Sequence, residues 1–128
     1  MSQIVVKAIF AKGRKSVVVP VLVDTGAEVC IITSDYAKDL GLKKAFSGRL
    51  VGAGGGRDIY YARVSSIKIR DTRCESGPII VAVVNESVFP LGGLTGLGGI
   101  LGLDFMKKTR MNIAAAAATG VVRCGAKR

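Results

Sequence analysis

The only Asp-Thr-Gly in the sequence, Asp24-Thr25-Gly26, sits between two apolar runs in VLVDTGAEVCIIT, residues 21–33. Residues 21–23 and 29–32 have the aliphatic, β-branched character of strands. Asp24 therefore emerges from the end of a core strand, where taking a carboxylate out of water is expensive unless hydrogen bonds or a partner compensate it. A group held at that expense is a candidate for acid–base chemistry. The structural alternative is a turn in which the side chain satisfies nearby backbone N–H groups. The chain contains no histidine, which removes Ser-His-Asp and Cys-His catalysis and His-ligated zinc. Carboxylates remain the obvious tools of any enzyme built on it.

The elements that must position Asp24 follow from local pattern. Residues 4–10 and 16–19, joined by the polar turn Lys12-Gly13-Arg14-Lys15, read as a hairpin, and Pro20 interrupts the ladder just before 21–23. Ser34 followed by Asp35 predicts an N-cap with an acid in the first turn, and the helix over 36–40 ends at Gly41. Arg49-Leu50-Val51 leads into the glycine-rich residues 52–56, after which 59–69 forms one long β segment, so a glycine-tipped hairpin is expected. A dinucleotide-binding fingerprint is excluded there: Arg57 stands where the last glycine is required, and a strand rather than a helix follows. Residues 71–78 form a turn region, 79–84 a buried strand and 85–99 a loop with five glycines. Ile100-Leu101-Gly102 comes next, and 103–108 has the composition of a second short helix. Residues 111–113 and 121–124 read as strands paired through a Thr119-Gly120 turn, and this segment is the candidate for a dimer sheet. Alanine favours helix intrinsically while the flanks of Ala114 to Ala118 argue for strands, and the sequence offers no physical account of that tract.

A chain of 128 residues is expected to form one domain over 1–128 and to bury about two-thirds of its unfolded surface. Its 49% apolar content and 17 glycines indicate a globular, turn-rich, mainly β protein. No apolar run is long enough to span a membrane. The start, Met1-Ser2-Gln3, lacks the features of a secretory signal, which favours the cytoplasm. Cys30, Cys74 and Cys124 are odd in number and widely spaced, so neither a disulfide framework nor a Cys-x-x-Cys zinc site is expected, and no metal or cofactor is implied. The net charge of +10 comes from 19 Lys and Arg against 9 Asp and Glu. These cations are dispersed without interleaved aromatics, so they read as solvated surface, with nucleic acid a minor alternative partner.

The order of the motifs carries more than any one of them. LVDTGAEVCII early, the glycine-tipped VGAGGGRDIYYARV in the middle and ILGLDFMKK late together resemble the retropepsin-like aspartic proteases, over nearly the whole chain. The last motif is closer to the cellular DNA-damage-inducible type than to retroviral members, which commonly carry Arg where Leu103 stands. The ion pair that arginine often makes must be absent or replaced, leaving the role of Glu28 open. The resemblance implies an all-β, closed acid-protease barrel with a flap hairpin and one or two short helices. It implies catalytic roles for Asp24, Thr25 and Gly26, with Thr25 bracing two loops across a dimer axis. It also implies substrate contacts from Ala27, Glu28, the flap glycines Gly54, Gly55 and Gly56, and Ile100, Leu101 and Gly102. Ile100 and Leu101 are equally readable as core.

Peptide hydrolysis without a metal or covalent nucleophile needs a base to activate water and an acid to protonate the leaving nitrogen. Two carboxylates sharing one proton supply both, because held close together they cannot both ionise easily. With one Asp-Thr-Gly per chain, the second carboxylate must come from another copy, so the active form is expected to be a homodimer acting on extended peptide or protein. The alternative is a non-catalytic dimeric module that keeps the fold to bind peptides or associate with nucleic acid.

Overall fold

The computed structural model describes residues 4–52, 55–85 and 96–125. Period-two apolar patterning makes β1 (Ile4–Lys12) and β2 (Lys15–Val23) an antiparallel hairpin closed by the pair Lys12 and Lys15, with Gly13 at φ 60° in its turn. β2 runs through Pro20 rather than starting after it. Pro20 faces Lys7, its carbonyl accepts from the Gly98 N–H at 2.8 Å, and the ladder to the next strand begins one residue later, at Val21. The missing N–H of proline therefore falls outside that ladder.

β3 (Cys30–Thr33) leads directly into α1 (Ser34–Leu40), which stops where Gly41 adopts the left-handed conformation at φ 67° and donates to the Lys38 carbonyl. The N-cap is Thr33 rather than the expected Ser34; its hydroxyl donates to the Asp35 carboxylate. β4 (Phe46–Gly52) and β5 (Gly55–Val64) form the glycine-tipped hairpin, in register from Phe46 opposite Tyr61 to Gly52 opposite Gly55. Gly54 lies outside the described residues, as does most of the expected 85–99 loop. The long β segment expected over 59–69 is broken at Ser65, and β6 (Ser66–Ile69) turns away to pair with β1. β7 (Ile79–Val84), β8 (Gly99–Leu101), α2 (Leu103–Thr109) and α3 (Ile113–Thr119) complete the described elements.

The strands form one eight-stranded mixed sheet in the order β4-β5-β7-β3-β8-β2-β1-β6. Eight strands against three short helices among the described residues bear out the mainly β expectation. Among the described residues the sheet is not closed into the expected barrel: β4 stands at one end and β6 at the other, the outer side of β6 taken up by a bridge from Lys68 to Glu75. Three helices are present among the described residues, against the one or two expected.

The alanine tract accounts for the third helix. The Asn112 side chain accepts from the Ala115 N–H at 2.9 Å as an N-cap, and Gly120 closes the C-terminus at φ 74°. Local propensity and two caps thus override the strand character of the flanks. What survives of the expected strand pair is a single bridge between Met111 and Cys124. Cys124 is also joined to Cys74 by a disulfide across 50 residues of sequence. Cysteine spacing does not show this pairing, because it depends on the turn after β6 meeting the segment after α3.

Alternation divides the apolar side chains between two faces of the sheet. Val19, Val21, Cys30, Ile32, Val81, Val83 and Leu101 enter the main core with Phe10 and Phe105, whereas Ile31, Ala82, Val84 and Ile100 form a smaller cluster with Ile59. Leu22, Ala27 and Val29 pack against the smaller cluster.

Candidate active site

β8 is wedged between β2, to which it runs parallel, and β3, to which it runs antiparallel. This places Leu101 opposite Val23, and the Leu101 carbonyl accepts from the Asp24 N–H at 3.0 Å. The Asp24 turn is then closed by the Ala27 N–H donating to the Asp24 carbonyl at 3.3 Å and the Gly26 N–H donating to Asp24 Oδ1 at 2.8 Å. The turn expected as the structural alternative is therefore formed, but it uses one carboxylate oxygen. Among the described residues, Oδ2 of half-buried Asp24 and the exposed Thr25 hydroxyl have no hydrogen-bond partner in the chain. A Cβ at residue 26 would stand 3.1 Å from Asp24 Oδ1, so glycine there lets the carboxylate fold back over the turn.

The return limb of the loop rests on α2. The first N–H groups of a helix have no partner within it. Here the Leu103 N–H donates to the Ala27 carbonyl at 2.8 Å and the Asp104 N–H to the Glu28 carbonyl at 3.1 Å. Gly102 makes the approach feasible, since a Cβ on it would meet the Val29 and Ala27 carbonyl oxygens at 2.6 and 2.8 Å. These are backbone atoms that cannot rotate aside. Gly102→Ala is expected to lower stability by about 1–3 kcal/mol and to displace the loop, measurable as a shifted denaturation midpoint with unchanged slope. An unchanged midpoint would show that the contact relaxes freely.

Of the expected site residues, Asp24, Thr25, Gly26, Ala27, Glu28, Ile100, Leu101 and Gly102 are brought together by β2, β8 and the start of α2. Gly55 and Gly56 lie on the hairpin. The apolar pair is split. Leu101 is fully buried in the main core, and Ile100 lies in the smaller cluster beside Ala27. Ile31 and Leu22 belong with Ile100 and were not expected at the site. The period-two pattern around Asp24 carried that signal, since it sends alternate residues to the face opposite the core.

Cys30 begins β3 at the end of the loop. Its thiol donates to Asp104 Oδ1 at 3.3 Å, and its Sγ accepts from the Gly102 N–H at 3.5 Å. Burial first, and the Asp104 carboxylate second, hold the thiol far above its ordinary pKa. The neutral thiol is thus the native form. Its contribution to stability is fully present below the ordinary value of 9.0 and is lost as pH rises beyond it, where the unfolded chain releases the proton first. Cys30 is expected to resist alkylation in the folded protein at about pH 8 and to react promptly in denaturant. Modification at equal rates in both states would contradict the burial.

A groove of about 630 Å³ at the base of the β4–β5 hairpin is lined by Ser34, Lys44, Ser47, Ile59 and Val84 among others, and includes no residue of the Asp24 loop. Residues 8–105 match the family model described as aspartyl protease. The chain belongs to the aspartyl protease family. Among solved structures it is similar to the protease of EIAV complexed with the inhibitor HBY-793, at 19% identity and TM-score 0.55, covering 83% of this chain and 86% of that one. A retropepsin-like aspartic protease from Rickettsia conorii gives 23% identity and TM-score 0.52, with 88% and 87% covered. The retroviral protease-like domain of Ddi1 from Leishmania major gives 19% and 0.53, with 91% and 86% covered. At these identities the structural likeness speaks for the fold. No curated protein matches the chain in sequence. Membership in the aspartyl protease family implies peptide hydrolysis. Among the described residues, no helix is long and apolar enough to cross a membrane.

Proposed function

We propose that the protein is an aspartic endopeptidase that works as a homodimer over one domain, residues 1–128, with Asp24 of each chain forming the catalytic pair. The observation that carries this reading is the unspent hydrogen-bonding capacity of the Asp24 turn: Oδ2 and the Thr25 hydroxyl have no partner among the described residues of one chain. A second copy related by a two-fold axis supplies one for each. In the pair, one carboxylate takes a proton from water as the water oxygen adds to the peptide carbonyl carbon. The other, protonated, hands its proton toward the carbonyl oxygen. Return of a proton to the nitrogen then breaks the C–N bond. No metal or cofactor is needed for this sequence.

An extended peptide lies between the β4–β5 hairpin, acting as a flap through Gly54, Gly55 and Gly56, and a floor of Ala27, Glu28, Ile100 and Gly102. Main-chain hydrogen bonds supply much of its binding. Leu22, Ile31 and Ile100 give that floor an apolar surface, which favours apolar side chains in the substrate. Leu101 contributes from the core side, by fixing the Asp24 N–H. Cytoplasmic residence is compatible with the Cys74–Cys124 disulfide where that bond resists cellular thiols, as in the disulfide-rich interiors of hyperthermophiles.

Cleavage of a mixed-sequence peptide library, followed across pH with sedimentation run in parallel, tests the proposal. A dimer cutting within peptides with a bell-shaped, acid-favoured profile is expected, because one proton must stay on the pair. A strictly monomeric protein, or a dimer that cuts at no pH, would refute it.

A further inference from the structure

We propose that Cys30 and Asp104 are a positioning pair for the Asp24 loop; this rests on the endopeptidase reading. Four contacts converge on the limb that returns from Asp24 to β3. The Leu103 and Asp104 N–H groups hold the Ala27 and Glu28 carbonyls, the Gly102 N–H reaches Cys30 Sγ, and the Cys30 thiol donates to Asp104 Oδ1. The same Oδ1 accepts from the Phe105 N–H at 2.7 Å, which pins the carboxylate to the first turn of α2. Asp104 therefore grips the loop twice, through its N–H at Glu28 and through its side chain at Cys30.

The plain alternative is an acid in the first turn that complements the α2 dipole, next to a buried cysteine acting as a small apolar filler. Two observations weigh against it. The carboxylate is half-buried and directed across the fold at Cys30, seventy-four residues away in sequence. The thiol, fully buried and held protonated, is the donor that this carboxylate oxygen takes in exchange for water. Glu28 makes no ion pair among the described residues, so the grip on its segment comes from the backbone contacts and the Cys30–Asp104 bond.

The test compares full-length Cys30→Ala and Asp104→Ala with the conservative Cys30→Ser and Asp104→Asn. It reads hydrogen exchange at the Leu103 and Asp104 amides together with kcat and KM on a peptide that the wild type cleaves. In both alanine variants those two amides are expected to exchange about tenfold faster or more while amides of β1 and β2 stay protected. Misplacement of the loop is expected to lower kcat about tenfold with KM changed less than about twofold. Cys30→Ser and Asp104→Asn, which keep a donor and an acceptor, recover most of both losses. Unchanged exchange at the two amides, a uniform rise across the sheet, an unaltered kcat, or losses that the conservative variants fail to recover would each overturn the proposal. A wild-type protein that cleaves nothing fails the endopeptidase reading, and the exchange pattern then decides the loop-positioning claim by itself.

Discussion

Asp24→Asn is expected to reduce peptide cleavage by about 10³-fold or more while leaving fold and dimer intact. Asparagine keeps an oxygen able to accept from the Gly26 N–H, and the backbone bond from residue 24 to the Leu101 carbonyl is untouched. The geometry of the turn therefore survives the change. What disappears is the capacity to hold or release a proton, and in the proposed homodimer it disappears from both aspartates at once. Steady-state kinetics beside melting temperature and sedimentation check this. Cleavage within about tenfold of wild type in an equally folded variant would remove Asp24 from the chemistry, since general acid–base groups are worth far more than that.

Reduction of the Cys74–Cys124 bond is expected to have the largest effect on stability. It closes a loop of 50 residues, and the chain-entropy account of such a cross-link gives about 4 kcal/mol. For a chain of this size that corresponds to a fall in Tm of roughly 10–20 °C. The local structure supports this, because little else fastens the C-terminal segment. Val122 and Cys124 pack on the main core, and the Asn112 and Gly125 N–H groups donate to the Arg123 and Arg110 carbonyls. Calorimetry with and without a dithiol reductant, alongside Cys124→Ser, measures the difference. A Tm that moves by less than about 2 °C would mean that the cross-link constrains the unfolded chain far less than loop length predicts.

Local chemistry made much of the fold legible. Gly41 announced the end of α1 because its left-handed conformation is a requirement of the chain at that point, and the Asp-Thr-Gly between two apolar strands announced the loop. Features set by long-range closure were not legible. The unclosed sheet, with β4 and β6 at its ends, follows from which strands find partners, and residue pattern is silent on that. The disulfide depends in the same way on two distant turns meeting. The alanine tract is the reverse case: its own helix propensity outweighs the strand character of its flanks, and Asn112 and Gly120 mark both ends of the helix. At the candidate site, Ile100 and Leu101 are chemically alike, and only their alternation along β8 sends one to each face. Cys30 and Asp104 look ordinary in sequence, a lone thiol and a helix-start acid, and only the hydrogen bond that joins them in the fold sets them apart.

The wedged position of β8 also sets an order of events during folding. Gly99 to Leu101 must arrive between β2 and β3 before the Asp24 N–H has its acceptor, and pairings so distant in sequence form slowly. An emerging chain that has released its first eighty residues holds the aspartate but not the carbonyl that fixes it. The Asp24 turn is thus completed only once residues 99–101 have been made and have paired with both neighbouring strands.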